Sequence, residues 1–281
     1  MKKRSIITTL IIAMSSLMLA SLSYAECIIN MTYKEGDKLP LIAKSPDNSG
    51  AYLALFSQAA TRIGCTLHVT RLSKKRLHKM LAEGTLDFYP GASFSKKRST
   101  YLFYIENGFS TGEYGITSLQ QSEIMRYEDL KGRDLTWVLE LNSSKHELAQ
   151  SLNIHFQQRK YLNLDVVHKL IAGKRSVFYV ADKELVDYYP KRSGLSSLKA
   201  AGMKVHKNCC GGEVPMYLGF SRYSKHFKER KNPGYDAKLA ISPTNFPTEL
   251  DPQSVAYKFS QALRSLKESG ETKKIHTQYF H

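Results

Sequence analysis

The segment Gly91-Ala-Ser93-Phe-Ser95-Lys-Lys-Arg98 sets small residues and two hydroxyls a few positions ahead of a guanidinium. Arginine presents a rigid fork of donors that matches a carboxylate two bonds at a time. The backbone N–H groups of a Gly/Ser loop, starting at Gly91 and joined by the Ser93 hydroxyl, can share the same anion. The chemistry such a set can do is capture of an anionic group with Arg98 as anchor. The competing reading makes Arg98 one of a solvated basic cluster with Lys96 and Lys97. Further along, Asn142-Ser143-Ser144 precedes a helix-like run with Glu147 in its first turn. Short polar side chains there read either as plain N-cap residues or as a second anion contact, because a helix start gathers unpaired N–H groups. Tyr33 and Tyr52 are candidate aromatic walls for a cleft, with core packing as their alternative role.

Catalytic chemistry is not signalled. His78, His146 and His155 fall on separate predicted elements, without metal-ligand spacing, and no glycine-flanked serine elbow is present. Nothing pairs a nucleophile with a base, so the expectation is a protein that binds and does not catalyse, with no cofactor and no metal.

The start of the chain says where such binding would take place. Lys2, Lys3 and Arg4 precede an apolar stretch from Ile6 to Ala20, and Ser23-Tyr24-Ala25 follows. A charged head, a short apolar segment and a small-x-small exit predict a secretory signal peptide over residues 1–25, leaving Glu26 to His281 in the periplasm. No later segment is long and apolar enough to cross a bilayer, so the exported chain is expected to be soluble. The 281 residues carry a formal charge of +16, three units of it on the leader. Export makes nucleic acid an unsuitable partner and leaves an anionic ligand or surface. Four cysteines enter an oxidising compartment. Cys27 and Cys65 each open a strand-like run, and a bridge between them is feasible if those strands are neighbours. Cys209 and Cys210 are adjacent, where a bridge would be strained, and their pairing stays open.

Strand and helix alternate along the chain. Residues 28–33 read as a strand. Ala51 to Ile63 places Leu53, Leu55, Phe56, Ala59, Ala60 and Ile63 at helical spacing and stops at Gly64. A strand over 65–70, a short basic helix over 76–82 and a strand over 86–89 complete a βαβαβ order, which argues for a parallel sheet flanked by helices. A second unit follows: a lead-in over 127–132, a strand over 134–141, a helix to about 152, a helix over 164–172, a strand over 176–181 and a helix from 184. After the Gly211-Gly212 break comes a strand over 214–221, and a tail helix over 254–280 is interrupted at Gly270. Residues 232–251 hold Pro233, Pro243 and Pro247, with Pro252 just beyond, and read as an extended surface connection.

Four motifs in this order resemble the amino-acid-type (family 3) bacterial extracellular solute-binding proteins. They are Leu81-Ala-Glu-Gly84-Thr-Leu-Asp87, the Gly91-to-Arg98 segment, Glu128-Asp-Leu130-Lys131-Gly132, and Ala262-Leu-Arg-Ser-Leu-Lys-Glu-Ser-Gly270 with Ile275 and Tyr279-Phe280. The resemblance implies an α/β, two-lobed type II periplasmic-binding fold, each lobe a mostly parallel sheet flanked by helices. Lobe 1 would comprise residues 26–111 and 217–281, and lobe 2 residues 112–216, joined by two hinge crossings. It implies that Arg98 holds a ligand carboxylate and that an acidic residue after the later strand of lobe 2 meets an ammonium group. Ala181 stands in that acidic slot and Asp182 one residue late, so Asp182 is the candidate, with amino-acid specificity left open. Where the family has glycine, this chain has Asn142. The implied function is capture of a small carboxylate-bearing, amino-acid-like ligand by lobe closure and delivery to an ABC-type importer. A periplasmic sensor presenting to a membrane receptor is the alternative, and a dehydratase-like enzyme a further one. The implied partners are the small anionic or zwitterionic ligand and a membrane permease or receptor, with the binding protein itself a monomer.

Overall fold

Apolar residues at alternate positions turn Cys27–Lys34 (β1) into a strand whose Ile29, Met31 and Tyr33 are buried. Helix α1, Ala51–Arg62, buries Ala51, Tyr52, Leu55, Phe56, Ala59 and Ala60 along one face. Cys65–Leu72 (β2), Lys74–Ala82 (α2) and the two-residue strand Phe88–Tyr89 (β3) complete the first βαβαβ unit. The structure, a computed structural model, describes residues 26–211 and 213–280. The expected signal peptide lies outside the described residues, as does Gly212.

β1 pairs in parallel with β2 on one side and β3 on the other. The second unit repeats that order. Thr136–Glu140 (β5) lies in parallel between Phe156–Arg159 (β6) and Val177–Asp182 (β7), with helices His146–Ser151 (α3) and Leu164–Ala172 (α4) as crossovers. Between the two parallel arms run two antiparallel strands, Leu102–Ser118 (β4) and Glu213–Ser221 (β9). β4 is the longest strand among the described residues, at 17 residues. Its first half pairs with β9, and its second half pairs with β7 and with Met203–His206 (β8). The sheet order is therefore β2-β1-β3-β9-β4-β7-β5-β6, with β8 alongside β4.

Side chains gather in cores on either side of those two strands. One holds Met31, Phe56, Phe88, Phe220 and Phe259, with Phe88 packed 5.0 Å from Phe56 and 5.4 Å from Phe259. Its members come from residues 29–109 and 216–275. The others, around Val167 and Trp137, draw on residues 116–210. Lys183–Arg192 (α5) covers the second region. Val255–Glu268 (α6) and Glu271–Phe280 (α7) cover the first, parted by Gly270 at φ +78° where the sequence places the interruption. The proline-bearing stretch is not wholly irregular: Glu229–Lys231 (β10) and Thr248–Leu250 (β11) close it as a short ribbon. No helix among the described residues is long and apolar enough to cross a membrane.

Two motif residues are explained by packing alone. Asp87 is buried and accepts hydrogen bonds from the backbone N–H of Asn30 at 2.6 Å and from the Ser224 hydroxyl, tying β3 to β1 and to the turn after β9. Gly84 has φ +74°, and a Cβ there would stand 2.1 Å from the Tyr223 carbonyl oxygen.

Cys27 and Cys65 are direct register partners in β1 and β2, and a disulfide joins them with Cα atoms 4.5 Å apart. Cys209 and Cys210, unassigned by sequence, are joined to each other and buried. Non-reducing peptide mapping should recover Cys27 and Cys65 in one cross-linked fragment; two free thiols would remove the bridge from the fold. Replacing both by alanine should lower the unfolding free energy by about 3–4 kcal/mol on the chain-entropy estimate, read from urea denaturation.

Candidate functional site

In an open α/β sheet the carboxyl ends of strands on either side of a reversal in strand order form a crevice. This chain has two such reversals, β1/β3 and β5/β7, and their carboxyl ends face each other. Between them lies a cavity of about 170 Å³. Its walls include Tyr33 and Lys34 from the end of β1, Tyr89 and Gly91 from the end of β3, Glu140 from the end of β5, and Ala181 and Asp182 from the end of β7.

Charge dominates this cavity. Glu140 accepts from Lys34 Nζ at 2.8 Å and from Lys74 Nζ, in α2, at 3.0 Å. Lys38 pairs with Asp182, and Lys145 with Glu113 of β4. Burial alone would raise the Glu140 pKa, but the two ammonium groups outweigh it and hold the carboxyl below its usual range. Lys38 shows the mirror effect: burial would lower its pKa, and the Asp182 carboxylate drives it up. Lys74 is left low, because its burial costs more than Glu140 returns. Lys34, Lys38 and Lys74 belong to the first βαβ unit, while Glu140 and Asp182 belong to the second. Each of these pairs therefore bridges the cleft. Outside the cavity Tyr161 donates to Asp37 at 2.9 Å across the same divide.

Arg98 lines the cavity at the start of a single 3-10 turn. Its guanidinium donates to the Asn142 carbonyl across the cleft and pairs with no carboxylate among the described residues. Gly91, Ser93, Ser143, Ser144, Asp182 and Tyr33 line the same cavity. Gly91 has φ +64°, and a Cβ there would stand 2.2 Å from the Tyr52 hydroxyl. Tyr52 is fully buried behind that wall, its ring centroid 6.2 Å from that of Tyr33, so it supports the cavity without lining it. Tyr33 stacks on Tyr89 at 5.4 Å, and burial raises its pKa well above the ordinary tyrosine value. His78, beside Tyr101 at 3.2 Å, is pushed down to about 3 by burial and by the Arg98 and Lys74 charges.

Asn142-Ser143-Ser144 does not cap the following helix. α3 starts at His146, its cap position is Lys145, and the Ser143 hydroxyl accepts instead from the Lys145 N–H at 3.3 Å. Asn142 sits at φ +61°, a conformation asparagine enters more readily than other non-glycine residues. That backbone demand is one glycine would also meet. Asn142 lines an adjoining surface pocket with Arg98 and His78 and reaches the site through its carbonyl.

The lysines, Glu113, Glu140, Tyr89 and Trp137 were not singled out by sequence. The usable signal was position, since Lys34 and Glu140 each close a strand at a reversal in sheet order. Asn142→Gly should leave the unfolding free energy within about 0.5 kcal/mol, whereas Asn142→Val should cost about 1–2 kcal/mol in urea titration. Equal losses would move the constraint from backbone to side chain.

No protein-family model matches the chain, and neither does any curated protein sequence. Solved structures do. One concerns glutathione import via GshT and the cystine ABC importer TcyBC of Streptococcus mutans, at 13% identity and TM-score 0.67, covering 91% of this chain and 95% of that one. The ancestral amino acid-binding protein AncCDT-1, a precursor of cyclohexadienyl dehydratase, aligns at 15% identity and TM-score 0.64 over 90% of this chain and 95% of its own. A histidine kinase sensor domain with similarity to periplasmic binding proteins aligns at 14% identity and TM-score 0.64, with the same coverage. The paired switch points, the interlobe cavity and these likenesses establish the fold of this chain as that of the two-lobed, type II periplasmic-binding proteins.

Proposed function

We propose that this chain is a periplasmic solute-binding protein that captures a small carboxylate-bearing ligand between its lobes and delivers it to an ABC-type importer. The observation that carries the reading is Arg98, a forked cation lining an interlobe cavity with no carboxylate partner among the described residues. A guanidinium in that setting is suited to a ligand carboxylate, with Ser93 on one lobe and Ser143 and Ser144 on the other positioned to share it. The cavity is smaller than the roughly 300–1,000 Å³ of sites for drug-sized ligands, which suits a small solute. Lobe 1, residues 26–111 and 217–281, closes on lobe 2, residues 112–216, through the segments of β4 and β9 that pass between the cores. We read the site as binding without chemistry, because the cavity carboxylates are held by lysines as ion-pair partners and none is placed as a free base. Presentation of the closed protein to a membrane receptor is a second reading, favoured by the likeness to the histidine kinase sensor domain.

Material purified from the periplasm should begin at Glu26 on N-terminal sequencing; a start at Met1 would refute export with cleavage. Native mass spectrometry of that material should find a co-purified small molecule. With that molecule as titrant, Arg98→Ala should weaken binding by tens to thousands of fold, the equivalent of about 2–5 kcal/mol for one partner of a desolvated pair. Arg98→Lys should recover part of the loss, while Lys96→Ala and Lys97→Ala, both exposed, should change affinity little. Equal small losses at all three positions would make the cluster a basic surface and place the ligand elsewhere.

A further inference from the structure

Five cations line the interlobe cavity, namely Lys34, Lys38, Lys74, Arg98 and Lys145, against the three carboxylates Glu113, Glu140 and Asp182. Every one of those carboxylates is already engaged: Glu140 by Lys34 and Lys74, Asp182 by Lys38, Glu113 by Lys145. An arriving ammonium group would meet no unengaged carboxylate in the lining and would add to a positive excess. Two centres carry that excess. One is Arg98, and the other is the Lys34/Lys74 pair, which shares a single carboxylate.

Lys38 is not a surface lysine that happens to reach inward. Its carbonyl accepts from the N–H groups of Leu41 and Ile42 at 2.8 and 3.0 Å, and its own N–H donates to the Ile42 carbonyl at 2.8 Å. Leu41 and Ile42 are fully buried in the first core, so the turn that aims Lys38 at Asp182 is anchored there. We infer that the ligand is a small organic dianion lacking an ammonium group, and that Lys38 fills from within the place beside Asp182 that an ammonium would take. This rests on the solute-binding reading above and names the ligand class for the same site. One anionic group goes to Arg98 and the other to the Lys34/Lys74 centre. Lys38 is then a specificity-determining residue, turning an acidic subsite into a neutral one.

The test uses the exported chain, stripped of ligand by unfolding and refolding, and calorimetry with pairs of probes that differ only by the ammonium group. Succinate against L-aspartate and glutarate against L-glutamate are such pairs, with butyrate as a single-charge control and glycerol phosphate as a second kind of dianion. At least one dianion should bind at least tenfold tighter than its amino counterpart and than butyrate. If glycerol phosphate is the tightest probe, the class stands and the second anion is a phosphate. Lys38→Met should narrow the gap within the winning pair by at least tenfold by exposing Asp182, while Lys38→Arg should keep it. Amino acids binding the unaltered protein as tightly as their deaminated partners would overturn the ligand class and leave solute binding intact. A co-purified zwitterion or cation would do the same, whereas a co-purified dianion outside the probe set would support the class. Silence of all probes together with no co-purified molecule would overturn the solute-binding reading itself, and this inference with it.

Discussion

A carboxylate withdrawn from water must be met by positive charge, and in this protein the cations that meet Glu140 and Asp182 come from the other half of the molecule. That requirement ties the two parallel arms together across the cleft. Neither arm could bury its own charged strand ends alone, because Lys34 and Lys74 would be left crowded on one side and Glu140 unpaired on the other. The approach of the arms, the small volume between them and the shifted pKa values of Lys38 and Glu140 all follow from this exchange of charge. Its net worth in stability is modest, since desolvation opposes attraction in pairs of this kind. Its effect on arrangement is large.

The apolar cores set the stage for that exchange without taking part in it. Phe88 and Phe220 hold β3 against β9, and Asp87 pins β3 to β1, so the ends of β1 and β3 emerge at a fixed spacing. On the opposite side Trp137, packed 5.0 Å from Tyr127 and 5.6 Å from Phe178, anchors the β5/β7 pair. Gly91 brings the backbone close against Tyr52, and a fully buried ring therefore shapes a cavity it does not touch.

The elements that could be read from sequence are those whose signals are local. Helix α1 announced itself by its apolar spacing and Gly64, and the Cys27–Cys65 bridge by two strand starts that proved to be register partners. β4 could not be read in the same way. Its burial pattern breaks at Glu106 to Gly108, where the register with β9 shifts, and again where its partners change from β9 to β7 and β8. No single periodicity runs through such a strand. The site divides along the same line. Gly91, Ser93 and Arg98 stand in one contiguous motif and could be found together. Lys38 and Lys74 could not, because a chain with 41 lysines and arginines offers no local mark for those that face a partner more than 60 residues away. Asn142 was visible as a departure from glycine, but its reason, a left-handed backbone, appears only in three dimensions.

β4 passes without interruption from one core to the other, and its first half lies antiparallel to β9 through a ladder from Leu102 to Gly112. Hydrogen bonds of an antiparallel ladder stand perpendicular to the strands. Sliding β4 along β9 would therefore load those bonds in shear together, while drawing the two strands apart from one end would part them one after another. The ribbon that joins the two cores therefore resists slip between its strands more than their separation from one end.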